Sequence, residues 1–151
     1  MKILLDAWRA WIADFDQTVE DDHWDRLEPY LADNVRYIVS GAPFSCSIEG
    51  RAAVLAGLRK SVQNFDHKFI KRTWHPVGVQ TYEPGYVTAR ILSGYDKAGA
   101  PPLRFPATCH WHFLDGKIDL MLDFYDAEFV EIDETFAWLE RYAPEADPSY
   151  V

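Results

Sequence analysis

The feature that most restricts the fold is a change of hydrophobic period near residue 68. Before this point apolar residues recur every three or four positions, as in amphipathic helices. After it they alternate with polar residues, as in strands. Tight turns separate the alternating segments, and one of them, Asp115-Gly116, is the strongest short signal for a hairpin. The pattern predicts strands at about 68–82, 85–96, 104–114 and 117–129.

The first half of the chain predicts helices. One apolar stripe comprises Leu4, Trp8, Trp11, Ile12, Phe15 and Val19. Asp16 lies at the edge of this stripe. The second helix is short, with Asp21 or Asp22 as its N-cap, and Pro29 is expected to bend it or end it early. The predicted helices span about 3–20, 23–31, 51–62 and 132–142.

The order of these elements predicts an α+β fold. A strand at 34–40 and a shorter one near Phe44–Ile48 precede the helix at 51–62, and a four-strand meander follows it. Residues 1–151 suit a single domain. A strongly bent antiparallel sheet, with the N-terminal helices packed in its concave face, makes a cone with an apolar cavity. Residues 131–151 are expected to form a C-terminal helical extension, either a lid over the cavity or dimer surface.

The balance of charges excludes several classes of partner. The chain has 15 Lys and Arg against 24 Asp and Glu, a formal charge of −9. Nucleic acids and anionic membranes require basic patches, so neither is expected to bind. No segment approaches the run of about 18 apolar residues that spans a bilayer, and Asp6 and Arg9 interrupt the segment where a signal peptide is apolar. With two cysteines and no disulfide framework, we expect a cytoplasmic protein.

Three segments resemble a known superfamily when they are taken in order. They are Trp24–Tyr37 (WDRLEPYLADNVRY), Ile48–Val54 (IEGRAAV) and Asp115–Asp126 (DGKIDLMLDFYD). Together they resemble the nuclear transport factor 2-like superfamily and, within it, the SnoaL-like branch, whose relatives include polyketide cyclases, ketosteroid isomerases, limonene-epoxide hydrolases and scytalone dehydratases. The resemblance covers about residues 8–127. It implies the cone-shaped, cystatin-like fold and a homodimer packed sheet against sheet, but no single function, because this fold also hosts enzyme subunits and binding modules.

The resemblance implies three catalytic candidates. Asp123 stands where cyclases and epoxide hydrolases of the superfamily keep a catalytic carboxylate. The segment Thr73–Gly78 (TWHPVG) is similar to the part of scytalone dehydratase that holds a catalytic histidine, which here is His75. Phe15-Asp16 resembles a Tyr-Asp pair on the first helix of the same enzyme, which implies a role for Asp16.

Other family positions differ in this chain. Arg90 matches the arginine that bridges two carboxylates in the epoxide hydrolases, but Leu92 replaces one of those carboxylates. The base of the steroid isomerases falls near Ile38–Val39, and their protonated carboxylic acid falls near Cys109. The second histidine of scytalone dehydratase falls near Ser93. No family mechanism therefore carries over whole.

The strand patterns add their own argument for His75 and Asp123. Alternation places His75 on the face of Thr73 and two valines, toward an apolar layer, where a side chain with a pKa near 6.5 suits proton transfer. The alternative is a core histidine with one backbone partner. Asp123 lies opposite the apolar face of its strand, which means solvent in a one-sided sheet and a pocket in a cone.

Several further residues are candidates for substrate binding. Tyr37 and Trp111 are expected to line the cavity, and a tyrosine hydroxyl there can polarise a carbonyl. Cys109, Arg90 and Tyr125 complete the set.

One pattern raises the alternative of a metal site. His110 and His112 share a strand face, as two metal ligands would. No third ligand follows at a suitable spacing, so neither a metal nor another cofactor is expected. Exposed or interfacial histidines are the simpler interpretation.

Two functional hypotheses follow. The first is a cofactor-free enzyme that isomerises, dehydrates or cyclises a small, apolar, oxygenated ring compound. In it, His75 moves a proton, Asp123 orients His75 or holds the complementary charge, and Tyr37 or Arg90 stabilises the oxyanion. The second is a non-catalytic ligand-binding module, or an assembly subunit resembling the β subunit of aromatic-ring dioxygenases.

Overall fold

The computed structural model describes residues 2–41, 45–125 and 132–151. Helix α1 is followed by a short 3₁₀ helix, two strands, helix α2, a second short 3₁₀ helix, four strands and helix α3. The bounds are α1 Lys2–Asp21, 3₁₀ Trp24–Tyr30, β1 Leu31–Ser40, β2 Cys46–Glu49, α2 Arg51–Asn64, 3₁₀ Asp66–Lys68, β3 Lys71–Tyr82, β4 Tyr86–Asp96, β5 Leu103–Leu114, β6 Lys117–Tyr125 and α3 Ile132–Tyr142. Among the described helices, none is both long and apolar enough to cross a membrane.

The strands form one curved, unclosed sheet in the order β2-β1-β6-β5-β4-β3. The predicted α+β class with a bent sheet is confirmed. One pairing differs from the antiparallel prediction, because β1 and β6 run parallel, with Val39 opposite Asp123. The antiparallel direction is imposed by tight turns between consecutive strands, and no such turn joins these two.

The main core lies between the concave face of the sheet and the helices. The stripe predicted on α1 faces this core, where Trp8 and Trp11 are buried. The Trp8 ring meets Trp111 of β5 edge to face, with 5.6 Å between ring centroids. From α2, Val54 and Leu58 join the same cluster. The amphipathic period of the sequence therefore determines which helix faces line the inside of the sheet.

The short helix after α1 differs in detail from the prediction. It is a 3₁₀ helix that includes Pro29, and His23 occupies the N-cap position without a side-chain bond. The aspartates expected as caps have other partners. Asp21 accepts a hydrogen bond from the His23 backbone N–H at 3.1 Å, and Asp22 accepts one from Trp24 Nε1 at 2.6 Å. Predicted strand residues at 126–129 and Phe44 lie outside the described residues.

A second, smaller core forms where α3 meets the far end of the sheet. Leu139 and Ala143 pack with Phe65, Tyr95 and Leu103. Residues 144–151 then cross α2, where the backbone N–H of Asp147 donates to the Asn64 carbonyl at 3.0 Å. The C-terminal part of the chain is thus packed against both the sheet and α2.

Candidate functional site

A cavity of about 120 Å³ lies between α1, α2 and the concave face of the sheet. Aromatic rings make up much of its wall. The lining residues from β1, β5 and β6 are Tyr37, Phe105, Ala107, Cys109, Trp111, Met121, Asp123 and Tyr125. Those from the other elements include Trp11, Phe15, Asp16, Leu58, Asp66, Arg72, Trp74, Ser93, Tyr95 and Tyr150. The polar side chains of this wall form two sets, the first and the second polar group.

The first polar group centres on the carboxyl of Asp123. The Tyr37 hydroxyl donates to Asp123 Oδ2 at 2.6 Å. Cys109 lies directly opposite Asp123 in the β5–β6 register, and its thiol forms a hydrogen bond with the carboxyl. Burial raises the pKa of Asp123, and the bonds from Tyr37 and Cys109 lower it in part. The result is a carboxyl with an elevated pKa, which can hold or release a proton nearer to neutrality than an ordinary aspartate.

Two further tyrosines surround this carboxyl. Tyr125 and Tyr150 hydrogen-bond to each other, and the Tyr150 ring meets Tyr37 edge to face at 5.2 Å. Burial, followed by the charge of Asp123, raises the pKa of Tyr150 to about 12. The pKa of Tyr37 is raised well above its usual value, mainly by burial. These phenols therefore stay protonated and act as hydrogen-bond donors at neutral pH.

The second polar group centres on Arg72. Its Nη1 donates to Asp16 Oδ1 at 2.9 Å, and its Nε lies 2.7 Å from Asp66 Oδ1. The Tyr95 hydroxyl also donates to Asp66, at 3.2 Å. Burial raises the pKa of Asp66, and the charge of Arg72 opposes that rise. Two carboxylates therefore face one guanidinium, so this group offers no unpaired cation to a ligand.

Of the residues predicted from the sequence, six line this cavity. They are Asp123, Asp16, Tyr37, Trp111, Cys109 and Tyr125. Asp16 reaches the wall from α1 but is engaged by Arg72. The Tyr37 hydroxyl is likewise engaged, because it donates to Asp123.

His75 and Arg90 do not line the cavity. His75 is exposed and lies opposite Leu92, on the convex face of the sheet, while the neighbouring Trp74 points inward. The expectation that His75 and Asp123 face one pocket is therefore wrong. Arg90 lies between the buried Ala89 and Ile91 in β4, so it too is on the convex face.

A β-bulge explains the error for His75. The β3–β4 register shifts between Pro76 and Gly78, so the strand changes face at that point. Val79, beyond the bulge, lies opposite the buried Ala89, whereas His75, before it, faces outward. Strict alternation across the bulge assigned both to one face. A proline and a glycine inside a predicted strand are the signal that could have revealed it.

This placement makes a testable prediction for His75. Because its side chain is exposed and outside the cavity, His75→Ala is expected to change unfolding free energy by less than about 0.5 kcal/mol. Ligand binding to the cavity should stay unchanged as well. Urea unfolding and tryptophan fluorescence titration with cyclohexanone measure the two quantities. A large loss of binding would show that His75 reaches the site.

The histidine pair of β5 has other partners. His110 Nδ1 lies 2.7 Å from the Thr88 hydroxyl. His112 Nδ1 lies 2.6 Å from Asp119 Oδ1, and His112 Nε2 lies 2.9 Å from the Pro84 carbonyl oxygen. Over the residues that the structure describes, no group of three or more His, Cys, Asp and Glu is arranged to hold a metal ion.

Sequence reasoning named Asp16 of the second polar group but missed Arg72, Asp66 and Tyr150. Charged residues next to turns, such as Arg72 and Asp66, normally face solvent. The signal for Arg72 is its alternation with Trp74, which places both on one face of β3, whereas Asp66 precedes that strand and has no such signal. Tyr150 stands in a terminal segment without periodicity, so the sequence contains no pattern that places it.

Comparison with solved structures shows the same fold in other proteins. A putative isomerase from Rhodopseudomonas palustris is 16% identical, with 80% of this chain and 89% of that chain covered and a TM-score of 0.64. Bal32a from a soil-derived mobile gene cassette is 15% identical, with coverages of 93% and 97% and a TM-score of 0.68. An LEH-like epoxide hydrolase from M. tuberculosis is 19% identical, with coverages of 91% and 92% and a TM-score of 0.60.

These identities are low, so the similarity concerns the fold alone. No curated protein matches the sequence. The family model described as the SnoaL-like domain matches residues 8–121, which is most of the chain. That range includes most of α1, strands β1 to β5 and the first half of β6, with Tyr37, Arg72, Cys109 and Met121 of the cavity wall, and it ends before Asp123. The chain belongs to the SnoaL-like domain family.

Proposed function

We propose that this protein is an enzyme that transfers a proton on a small, largely apolar, oxygenated ring compound bound in the cavity. The observation that carries the proposal is the buried Asp123 carboxyl, held by the Tyr37 hydroxyl at 2.6 Å inside an aromatic wall. Burial raises the pKa of this carboxyl. A higher pKa makes it a stronger base, and the best general base has a pKa near the operating pH.

The chemistry requires only groups that the cavity already contains. The Asp123 carboxylate takes a proton from the carbon next to a carbonyl, and the electron pair of that C–H bond moves onto the carbonyl oxygen. Return of the proton to another carbon conjugated with the enolate isomerises the compound. Transfer of the same proton from Asp123 to a β-hydroxyl releases that group as water and dehydrates the compound. Attack of the enolate carbon on a second carbonyl closes a ring, and Asp123 returns the proton to the alkoxide that forms. Tyr37 and Cys109 keep the carboxyl in place, and Tyr125 or Tyr150 donates to the developing oxyanion.

The size and charge of the cavity support one kind of substrate. Its volume is about 120 Å³, and an apolar cavity of about 150 Å³ accommodates benzene. Arg72 is the cation among the described lining residues, and Asp16 and Asp66 already neutralise it. A carboxylate or phosphate would meet three aspartates and no unpaired cation, so we infer a neutral substrate with one ring.

Proton exchange in heavy water tests this proposal without knowledge of the natural substrate. We expect the protein to accelerate replacement of the α-hydrogens of cyclohexanone and cyclopentanone by deuterium, followed by ¹H NMR. Acetate, which is a small anion, should not compete with the ketones. Absence of acceleration with a panel of small cyclic ketones would contradict the enzymatic proposal.

A second candidate function is the binding of a small amine without catalysis. Aromatic faces attract cations, and the cavity combines them with the Asp123 carboxyl. A protein with a ketosteroid isomerase-like fold from Catenulispora acidiphila, 16% identical, was solved in complex with trimethylamine. Titration with trimethylamine, followed by tryptophan fluorescence, separates the two candidates. Tight binding that Asp123→Asn abolishes, without any ketone exchange, favours the binding module.

We also propose that two copies pack through the convex face of the sheet. Leu92 and Phe124 are each 38% exposed there, on strands β4 and β6. Phe124→Glu is therefore expected to convert a dimer into a monomer of 17.4 kDa, as measured by light scattering. Ile70→Glu is the matched control, because Ile70 is exposed but lies before β3, outside that face. A native protein that is already monomeric would contradict the proposal.

A further inference from the structure

Tyr150 reaches the cavity from a segment that has no helix or strand. Residues 143–151 follow α3 without regular structure, yet the Tyr150 ring lines the cavity next to Tyr37 and Tyr125. The ring thus closes the wall at the Asp123 end. A side chain from an irregular segment is an unusual part of a cavity that is otherwise built from helices and strands.

The segment is held mainly by one side of α2. The Ser61 hydroxyl donates to the Pro148 carbonyl at 3.4 Å, and Lys60 Nζ donates to the carbonyl of Val151. The carboxylate of Asp147 accepts the Ser149 backbone N–H at 2.9 Å, which stiffens the turn before Tyr150. Together with the backbone bond from Asp147 N–H to the Asn64 carbonyl, these are scattered bonds rather than a strand ladder. Such a segment separates from the fold at lower cost than a strand of the sheet does.

A glycine of α2 makes room for this segment. A Cβ at Gly57 would lie 2.9 Å from the Tyr150 carbonyl oxygen and 2.8 Å from Ile48 Cδ1. Glycine inside a helix costs about 1 kcal/mol relative to alanine. At this position the cost is offset by the close approach of the segment that carries Tyr150. Gly57 and Tyr150 therefore form one structural unit.

We propose that Tyr150, seated on Gly57, determines the largest substrate that the cavity accepts. The inference rests on the proposed function for the nature of the substrate. The phenol ring occupies the space next to Asp123 that a second fused ring of a substrate would need. With the ring present the site takes one-ring ketones, and without it the site takes two-ring ketones in the same orientation toward Asp123.

The test compares two neutral ketones, cyclohexanone with one ring and 2-tetralone with two. Dissociation constants are measured by tryptophan fluorescence for the native protein, Tyr150→Ala, Tyr150→Phe and Gly57→Ala. We expect Tyr150→Ala to shift the ratio of the two constants at least tenfold toward 2-tetralone. Tyr150→Phe keeps the ring and should keep the native ratio. Gly57→Ala leaves Tyr150 itself intact but displaces its backbone, so it should shift the ratio in the direction of Tyr150→Ala.

A matched control and a second readout make the test decisive. Tyr82→Ala removes an exposed tyrosine outside the cavity and should leave the ratio unchanged. An unchanged ratio in folded Tyr150→Ala, or no binding of 2-tetralone to it, overturns the inference. Deuterium exchange of the same ketones, measured with the native protein, separates this result from the proposed function. If Tyr150→Ala shifts the ratio of dissociation constants but no ketone exchanges deuterium, the size limit is supported and catalysis is contradicted. If the ketones exchange deuterium but the ratio does not shift, catalysis is supported and the size limit is contradicted.

Discussion

Asp123→Asn is expected to lower the rate of ketone proton exchange by about 10²–10⁴-fold, the contribution of one positioned acid or base. Asparagine keeps the shape of the side chain and an oxygen that accepts the Tyr37 hydroxyl, but its amide cannot take a proton from the ketone at neutral pH. The rate should therefore fall while ketone binding is retained. The measurement is the initial rate of deuterium incorporation by ¹H NMR, beside a fluorescence titration.

Asp115→Asn is the matched control for this variant. Asp115 is an exposed turn residue with a φ of 51°, a conformation that asparagine tolerates. The same substitution there should leave the exchange rate within about twofold of the native rate, because a surface change away from the site seldom matters. An equal loss in both variants would mean that Asp123 is not the group that moves the proton.

The stability of Asp123→Asn gives an independent check with a definite sign. Burial raises the pKa of Asp123 above the usual aspartate value of 3.8, so the folded protein binds this proton more tightly than the unfolded chain. The native protein therefore loses stability as the pH rises through that elevated pKa. The Asp123→Asn variant has no titrating group at this position, so it does not lose stability in this way. We expect the variant to gain stability relative to the native protein between pH 4 and pH 8. If the variant instead lost stability relative to the native protein over this range, the Asp123 carboxylate would have a merely structural role.

Arg72→Met is expected to cause the largest loss of stability, about 3–5 kcal/mol at pH 8, because it leaves a buried carboxylate unpaired. The side chains of Arg72 and Asp66 are only 17% and 10% exposed. Methionine fills much of the space but does not neutralise Asp66. Urea unfolding followed by tryptophan fluorescence measures the loss.

Two features distinguish this effect from a simple packing defect. Burial already raises the pKa of Asp66, and without Arg72 it should rise further, so the loss should shrink as the pH falls from 8 to 5 and Asp66 takes up a proton. Adding Asp66→Asn to Arg72→Met should restore much of the stability. Arg59→Met, which breaks a half-exposed pair with Asp22, should cost less than about 1 kcal/mol. A loss that is equal at both pH values would contradict the electrostatic account.

Much of the fold could be predicted because the spacing of apolar residues along the chain indicates which side chains are buried. The stripe on α1, the hairpin signal at Asp115-Gly116 and the alternation of β4 to β6 each depend on neighbours along the chain. The placement of Asp123 in the cavity depended on more than alternation, because the strand pattern alone allowed solvent on that face. The resemblance to the SnoaL-like branch, together with the expected cone shape, favours the cavity.

The amino-acid pattern by itself determined the helices, the meander and the α+β class, since these follow from contacts and turns between residues close in sequence. Only the tertiary structure decided which groups meet: that a bulge turns His75 outward, that Arg72 lies between Asp16 and Asp66, and that Tyr150 closes the wall beside Asp123. The physical reason is that alternation divides the side chains of a strand between two faces of the sheet but does not indicate which face is enclosed. A charged or aromatic side chain far along the chain has no local signal for the partner that folding brings to it.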